Sequence, residues 1–174
     1  MPVVIGLAGK RGSGKSTIAR RLAKEHGFVH ASFGDAVRRE AVARALSTDT
    51  PTLQSLGRAL IDEWGWIRFC QAVMDSIPES PRIVIDGIRH ADAVKTLRHL
   101  VAPSRFELVF VQLAHEMRLE RIRDRGRIGD SDAIVDSDPV ELEVESLHAL
   151  AAFEVDGNDD KAAALISRWC QRIS

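Results

Sequence analysis

Apolar and polar positions fall into alternating blocks along the chain. Val3-Val4-Ile5-Gly6-Leu7-Ala8 is a continuous, β-branched apolar run, the pattern of a strand buried on both faces. A glycine-rich turn follows, then a helical pattern from Lys15 to His26 that Gly27 ends, as a residue just past a C-cap often does. Phe28 to Ser32 predicts a second short strand. Helical patterns fill Asp35 to Ile77, with breaks near Ser47 to Pro51 and at Gly65, and Pro78 and Pro81 close the region. Arg82 to Asp86 predicts a third strand, Ala91 to Val101 a helix, Phe106 to Leu113 a fourth strand and His115 to Arg125 a very polar helix. Gly126 to Asp138 reads as a loop, and Pro139 to Ala151 as a helix with proline in its first turn, where the missing N–H costs little. Phe153 to Val155 is a weak fifth strand, and Asp160 to Ile173 a closing amphipathic helix. Strands alternating with helices predict a parallel sheet covered by helices on both faces.

Composition narrows the class. A chain of 174 residues suits one domain, and 45% hydrophobic with 28% charged residues is globular. The apolar runs fall far short of the ~20 residues of a membrane helix, so no membrane partner is expected. Met-Pro-Val-Val-Ile-Gly lacks a basic region and a cleavage site, so no secretory signal is expected. Cys70 and Cys170 sit in helical patterns without partners at metal spacing, which reads as two reduced, packed thiols in a cytoplasmic protein. A net charge of -1 argues against general nucleic-acid binding and leaves a nucleic acid open only as a substrate at a local basic site.

The sharpest motif is Gly9-Lys10-Arg11-Gly12-Ser13-Gly14-Lys15-Ser16, followed by Thr17. It fills every fixed position of G-x-x-x-x-G-K-[ST], with a strand before it and a helix after it. Its glycines let successive backbone N–H groups surround a phosphate, and the helix aims its positive end at the same point. Lys15 suits the β- and γ-phosphates of ATP and the Ser16 hydroxyl suits Mg2+. The fold expected is therefore α/β, a three-layer P-loop NTPase fold with a five-stranded parallel sheet.

What the bound triphosphate does depends on the segments that follow. His30-Ala31-Ser32-Phe33-Gly34-Asp35-Ala36-Val37-Arg38 resembles the Ser-x-Gly-Asp-x-x-Arg segment of nucleoside monophosphate kinases, adenylate kinase among them. The resemblance implies that Arg38 holds the acceptor phosphate and that residues 34–77 are acceptor-binding helices. Read without it, Asp35 is also a good N-cap and Arg38 a surface charge. Leu53-Gln54-Ser55-Leu56-Gly57-Arg58 through Trp64-Gly65-Trp66-Ile67-Arg68-Phe69 resembles a segment of the deoxynucleoside monophosphate kinases of phages and bacteria. Gln54 and Arg58 share a helix face and either line an acceptor pocket or meet solvent. Trp64, Trp66 and Phe69 either stack on an acceptor base or pack between helices.

Asp86-Gly87-Ile88-Arg89 ends the third strand, at the sheet edge where open parallel sheets collect ligands. An Asp there can orient Mg2+ through water, and the motif is similar to the Asp-Gly-x-Arg of deoxynucleotide kinases, which implies that Arg89 binds the acceptor phosphate; the plainer alternative is Asp86 capping a turn and Arg89 pairing on the surface. A Glu common four residues after that arginine is Ala93 here, with Asp92 beside it. Arg118, Arg121, Arg123, Arg125 and Arg127 crowd beside the 126–138 loop, either as a solvated face or around an anion. Arg121-x-x-x-Arg125 resembles the base of the family's lid, implying that Arg121 packs on adenine and Arg125 contacts phosphate. Asp156-Gly157-Asn158-Asp159 is either a plain turn or, by resemblance, the loop beside the adenine.

The resemblance implies one domain with its core at 1–33, 78–125 and 139–174, acceptor helices at 34–77 and a short lid at 126–138. It implies phosphoryl transfer from ATP to a small-molecule nucleotide acceptor, with Lys15, Arg38, Arg89 and Arg125 neutralising charge and Asp35 available as a base. Two other readings stay open: a P-loop kinase acting on a hydroxyl, as in dephospho-coenzyme A or a hydroxymethyl pyrimidine, and a nucleotide-dependent switch. The acceptor's base and sugar and the oligomeric state also stay open.

Overall fold

Strand β1 (Val3–Ala8) is buried at every position and forms the centre of a five-stranded, all-parallel sheet. The computed structural model describes residues 2–125 and 139–173, with the side chains at 125 and 139–142 outside the description. The sheet order is β2 (Val29–Ser32), β3 (Arg82–Ile88), β1, β4 (Arg105–Gln112), β5 (Phe153–Asp156). Among the described residues, seven α-helices connect or flank these strands: α1 (Lys15–His26), α2 (Phe33–Ala43), α3 (Thr50–Met74), α4 (Ala91–Leu100), α5 (His115–Arg125), α6 (Pro139–Ser146) and α7 (Ala162–Ile173). A 3₁₀ turn at Leu147–Leu150 follows α6.

Side-chain alternation along the strands builds two cores. Val3, Ile5 and Leu7 join Val84, Val109 and Val111 on one face, under Ile18 and Leu22 of α1 and Ile166 and Cys170 of α7. Val4, Ile83, Ile85, Phe106, Leu108 and Phe110 face the other way, under residues of α2, α3, α4 and the turn after α6. Both faces are covered, so the strands read as near-continuous apolar runs. The expected lid, residues 126–138, lies outside the described residues.

Local sequence explains most boundaries. α1 spans the residues its pattern predicts, and Gly27 closes it at φ 71° with its N–H bonded to the Leu22 carbonyl. The break expected at Ser47 to Pro51 falls earlier, at residues 44–49 between α2 and α3. Asp49 caps α3 by accepting from Thr52 N–H at 2.8 Å, and Pro51 sits in the first turn, where proline is tolerated. The Ser47 hydroxyl and the Thr52 N–H hold the Asp49 carboxyl below its ordinary range. Gly65, at φ 68° and ψ 170°, breaks the helical path inside α3 and re-aims the chain before Trp66. The helix expected to reach Ala151 stops at Ser146 and continues only as the 3₁₀ turn.

Both thiols are buried and unpaired with each other. Burial pushes Cys70 up to about 12 and Cys170 up to about 11, from an ordinary 9.0. Since only the thiolate is nucleophilic, both are inert while the fold is intact. Their contribution to stability is complete below pH 9 and fades as pH rises toward those values. We expect iodoacetamide at pH 8 to leave both cysteines unmodified in the native protein and to label both in guanidinium, read by mass spectrometry. Rapid native labelling would contradict this burial.

Candidate functional site

The glycine-rich loop connects β1 to α1 through a turn with almost no room for side chains. Gly9, Gly12 and Gly14 have φ of 143°, 83° and 102°, a region L side chains avoid. A Cβ on Gly9 would strike the Val111 carbonyl oxygen, and one on Gly12 would lie 2.8 Å from that of Arg118. A Cβ on Gly157, in the turn after β5, would strike the Ser13 carbonyl oxygen. The loop is thus clamped by β4, α5 and the 157 turn.

Within it, Lys15 Nζ donates to Gly9 O at 2.5 Å, Lys10 O at 2.8 Å and Ser13 Oγ at 3.4 Å. Lys15 and Ser13 are buried, while Ser16 and Thr17 are exposed. Gly14 is the N-cap of α1 and offers no side-chain cap, and the first turn holds no acidic residue. The leading N–H groups and the positive end of the helix are therefore directed at an incoming anion.

A cleft of about 940 Å³ opens in front of this loop. Its lining includes Arg11, Gly12, Gly14, Lys15 and Ser16 of the loop together with Asp35, Arg38, Gln54, Arg58, Trp66, Asp86 and Arg89. Four separated stretches thus bring Lys15, Arg11, Arg38, Arg58 and Arg89 to one cavity. Arg38 Nη1 donates to Asp35 Oδ1 at 2.8 Å, an exposed pair one helical turn apart. Capping falls elsewhere than Asp35: Ser32 is the N-cap of α2, its hydroxyl accepting from Asp35 N–H at 3.3 Å. A residue in extended conformation just before the helix can aim its oxygen at that N–H, whereas Asp35 is already inside the first turn.

The aromatics divide between core and cleft. Phe69 is buried and meets Phe33 edge-on at 5.3 Å. Trp66 stacks on Phe69 at 6.3 Å and 21° and keeps a face on the cleft. Trp64 packs against the same core, and the Arg68 guanidinium lies 4.8 Å above its ring.

Asp86 is buried at the end of β3, in register with Leu7 of β1 and Ser32 of β2. His30 Nε2 lies 3.9 Å from Asp86 Oδ2, too long for a hydrogen bond, and is a buried polar atom with no partner. Such atoms are uncommon because each costs about 1–3 kcal/mol unless water or a ligand meets it. Asp86, Ser16 and His30 all line the cleft; a carboxylate and a hydroxyl are the oxygen donors a hydrated Mg2+ takes, and the orphaned imidazole nitrogen suits one of its waters.

Arg121 and Asn158 do not line this cleft. They meet each other beside Gly14: Arg121 Nη2 donates to Asn158 Oδ1 at 2.9 Å and Nη1 to Gly157 O at 3.3 Å. Gly9 and Ser13 lie in the buried floor of the loop, and Thr17 points away on α1. The Arg125 side chain, expected to contact phosphate, lies outside the described residues.

Arg118 is the functional residue the sequence hid. It is 3% exposed and donates from Nη1 to the Arg11 carbonyl at 2.8 Å, fastening the phosphate loop to α5. In the sequence it was one arginine among five, and no local signal separated it from solvated neighbours.

An all-parallel sheet in the order 2-3-1-4-5, with this loop after its central strand, defines a P-loop kinase fold. A gluconokinase from Sinorhizobium meliloti matches 99% of this chain and 98% of its own at a TM-score of 0.59 and 18% identity. Shikimate kinase from Bacteroides thetaiotaomicron matches 98% and 97% at 0.55 and 14%. At such identities the likeness is one of fold. Residues 5–138 match the AAA_18 family, described as an AAA domain. UPF0200 protein PAE1629 of Pyrobaculum aerophilum is 33% identical over 131 residues, 73% of this chain and 68% of the relative. The chain belongs to the AAA_18 domain family and to the UPF0200 proteins.

Replacing Arg118 by Ala leaves the Arg11 carbonyl without its guanidinium and loosens the loop. We expect ATP affinity to fall about ten-fold, the equivalent of one charge-assisted hydrogen bond, in calorimetric titration. Wild-type affinity would contradict the fastening role.

Proposed function

We propose that this chain is an ATP-dependent kinase transferring the γ-phosphoryl group to a nucleoside monophosphate. The observation that carries the reading is that one cleft is lined both by the phosphate loop and by Arg38, Arg58, Arg89 and the indole of Trp66. A triphosphate and an acceptor phosphate laid end to end would meet these cations from both substrates.

On this reading the loop N–H groups hold the β-phosphate. Lys15 exchanges its own carbonyl partners for phosphate oxygens. Arg38 and Arg89 take the acceptor phosphate by paired N–H donation. Arg121 and Asn158 meet the adenine side, Trp66 faces the acceptor base, and Gln54 and Arg58 complete that pocket. Ser16 and Asp86 would hold Mg2+, which supplies charge neutralisation on the phosphoryl oxygens. Little further chemistry is required, because the acceptor phosphate is already ionised and catalysis rests on placement and charge. Arg125 is expected to add a cation from the base of the lid. Among the described residues no helix is long and apolar enough to cross a membrane, and a cytoplasmic place of action agrees with two inert thiols.

A second reading gives the same fold a hydroxyl acceptor. It is favoured by Asp35, an exposed carboxylate in the cleft able to take a proton, and by neighbours named for shikimate and gluconate.

The test is a product assay over the common ribo- and deoxyribonucleoside monophosphates, dephospho-coenzyme A and hydroxymethyl pyrimidine nucleotides. We expect a nucleoside diphosphate product. Lys15→Ala should lower turnover about 10²–10³-fold, the scale of removing one preorganised donor. Arg38→Ala or Arg89→Ala should raise the acceptor KM about ten-fold or more with little change in the KM for ATP. A phosphorylated hydroxyl would select the second reading. Tight ATP binding with no acceptor-stimulated turnover would leave only a switch.

A further inference from the structure

The indole of Trp66 packs against one residue of its own helix and one from the segment before α4. Its ring lies 6.3 Å from Phe69 on its own helix and 5.0 Å, tilted 52°, from the imidazole of His90. His90 precedes α4 and also lines the cleft, next to Arg89. Its Nδ1 is 2.8 Å from Glu143 Oε2 on α6. The other oxygen of that carboxylate accepts from Ala91 N–H at 3.4 Å. The N-terminus of α4 has no side-chain cap of its own, so Glu143 supplies one from a distant element. Two residues on, Glu145 pairs with Lys10 of the phosphate loop at 2.9 Å. Helix α6 therefore contacts both the glycine-rich loop, through Lys10, and His90 on the cleft lining.

We propose that His90 and Glu143 are positioning residues for the acceptor: together they fix the orientation of Trp66 and so set how well the acceptor base is received. The inference rests on the kinase reading only in taking the occupant of that wall to be the acceptor. A carboxylate at hydrogen-bond distance from Nδ1 requires the proton on Nδ1, since two acceptors cannot share the contact. That bond fixes the plane of the imidazole, and the imidazole blocks the rotamers that would swing the indole out of the wall. A side chain ordered before binding loses less entropy when the ligand arrives. Glu143 is exposed and His90 is only partly buried, so their bond contributes little to overall stability. Its effect belongs in placement.

The test uses Glu143→Ala, Glu143→Gln and His90→Ala, with Trp66→Phe as reference. Without any nucleotide, acrylamide quenching of tryptophan emission is measured, and the Trp66 share is taken as the difference from W66F. We expect E143A and H90A to make Trp66 more quenchable while melting temperature falls by no more than about 2–8 °C, the scale of one lost helix cap. With the most active nucleoside monophosphate, both should raise the acceptor KM about three- to ten-fold, the scale of one side chain left unordered. Turnover and the KM for ATP should remain near wild type. E143Q should restore most of both readouts, because its amide oxygen still accepts from Nδ1–H. Wild-type quenching in E143A and H90A would overturn the proposal, as would an E143Q variant as impaired as E143A. If no monophosphate proves to be an acceptor, the kinase reading fails, while quenching still decides whether His90 and Glu143 hold Trp66.

Discussion

The ammonium of Lys15 sits inside a loop so tightly wound that glycine is required wherever the chain reverses. Val111, Arg118 and Gly157 press on that loop from three sides, and their contacts are with its backbone. A loop held this way presents its N–H groups without reorganising when an anion arrives. The sheet exists, in functional terms, to bring β1 to that point and to set Asp86 on β3 and the 157 turn after β5 beside it. The buried apolar faces give the clamp its rigidity: each side of the sheet is packed by helices, so β1 has no freedom to slide relative to β3 or β4.

Charge supplies the second half of the account. Arginines from α2, α3 and the end of β3 line the cavity that the loop opens onto, and Arg38 among them pairs with Asp35 one helical turn away. Like charges so placed repel unless something anionic lies between them. The aromatic wall gives the same cavity an apolar side. The proposed nucleotide acceptor, a phosphate joined to a flat ring, would address both.

Much of this was legible in the sequence, for identifiable reasons. β1 and α1 were readable because a run buried on both faces and a glycine past a C-cap are local signals. For Gln54, Arg58 and Trp66 the pattern leaves cleft and solvent or core both open, and Arg89 is assigned to the acceptor only by resemblance; the fold brings all four to one cleft. Other features depend on contacts between residues far apart in the chain. Arg118 is chosen from five arginines only because α5 packs against Gly12. The His90–Glu143 pair spans 53 positions, and no periodicity announces it. Capping of α2 by Ser32 in place of Asp35 turned on where the helix begins, a boundary the pattern alone misses by two residues.

The central claim is that a donor triphosphate and an acceptor phosphate lie end to end between Lys15 and the Arg38–Arg89 pair. Calorimetric titration with a bisubstrate analogue, two nucleosides joined through a pentaphosphate bridge, addresses it directly. If both halves engage at once, one analogue should bind per chain, about 10²-fold or more tighter than ATP as expected for a linked ligand. That advantage should vanish in an Arg38→Ala, Arg89→Ala double variant. An analogue bound no more tightly than ATP by the native protein would mean that the second half of the cleft receives no phosphate, and the account would fail.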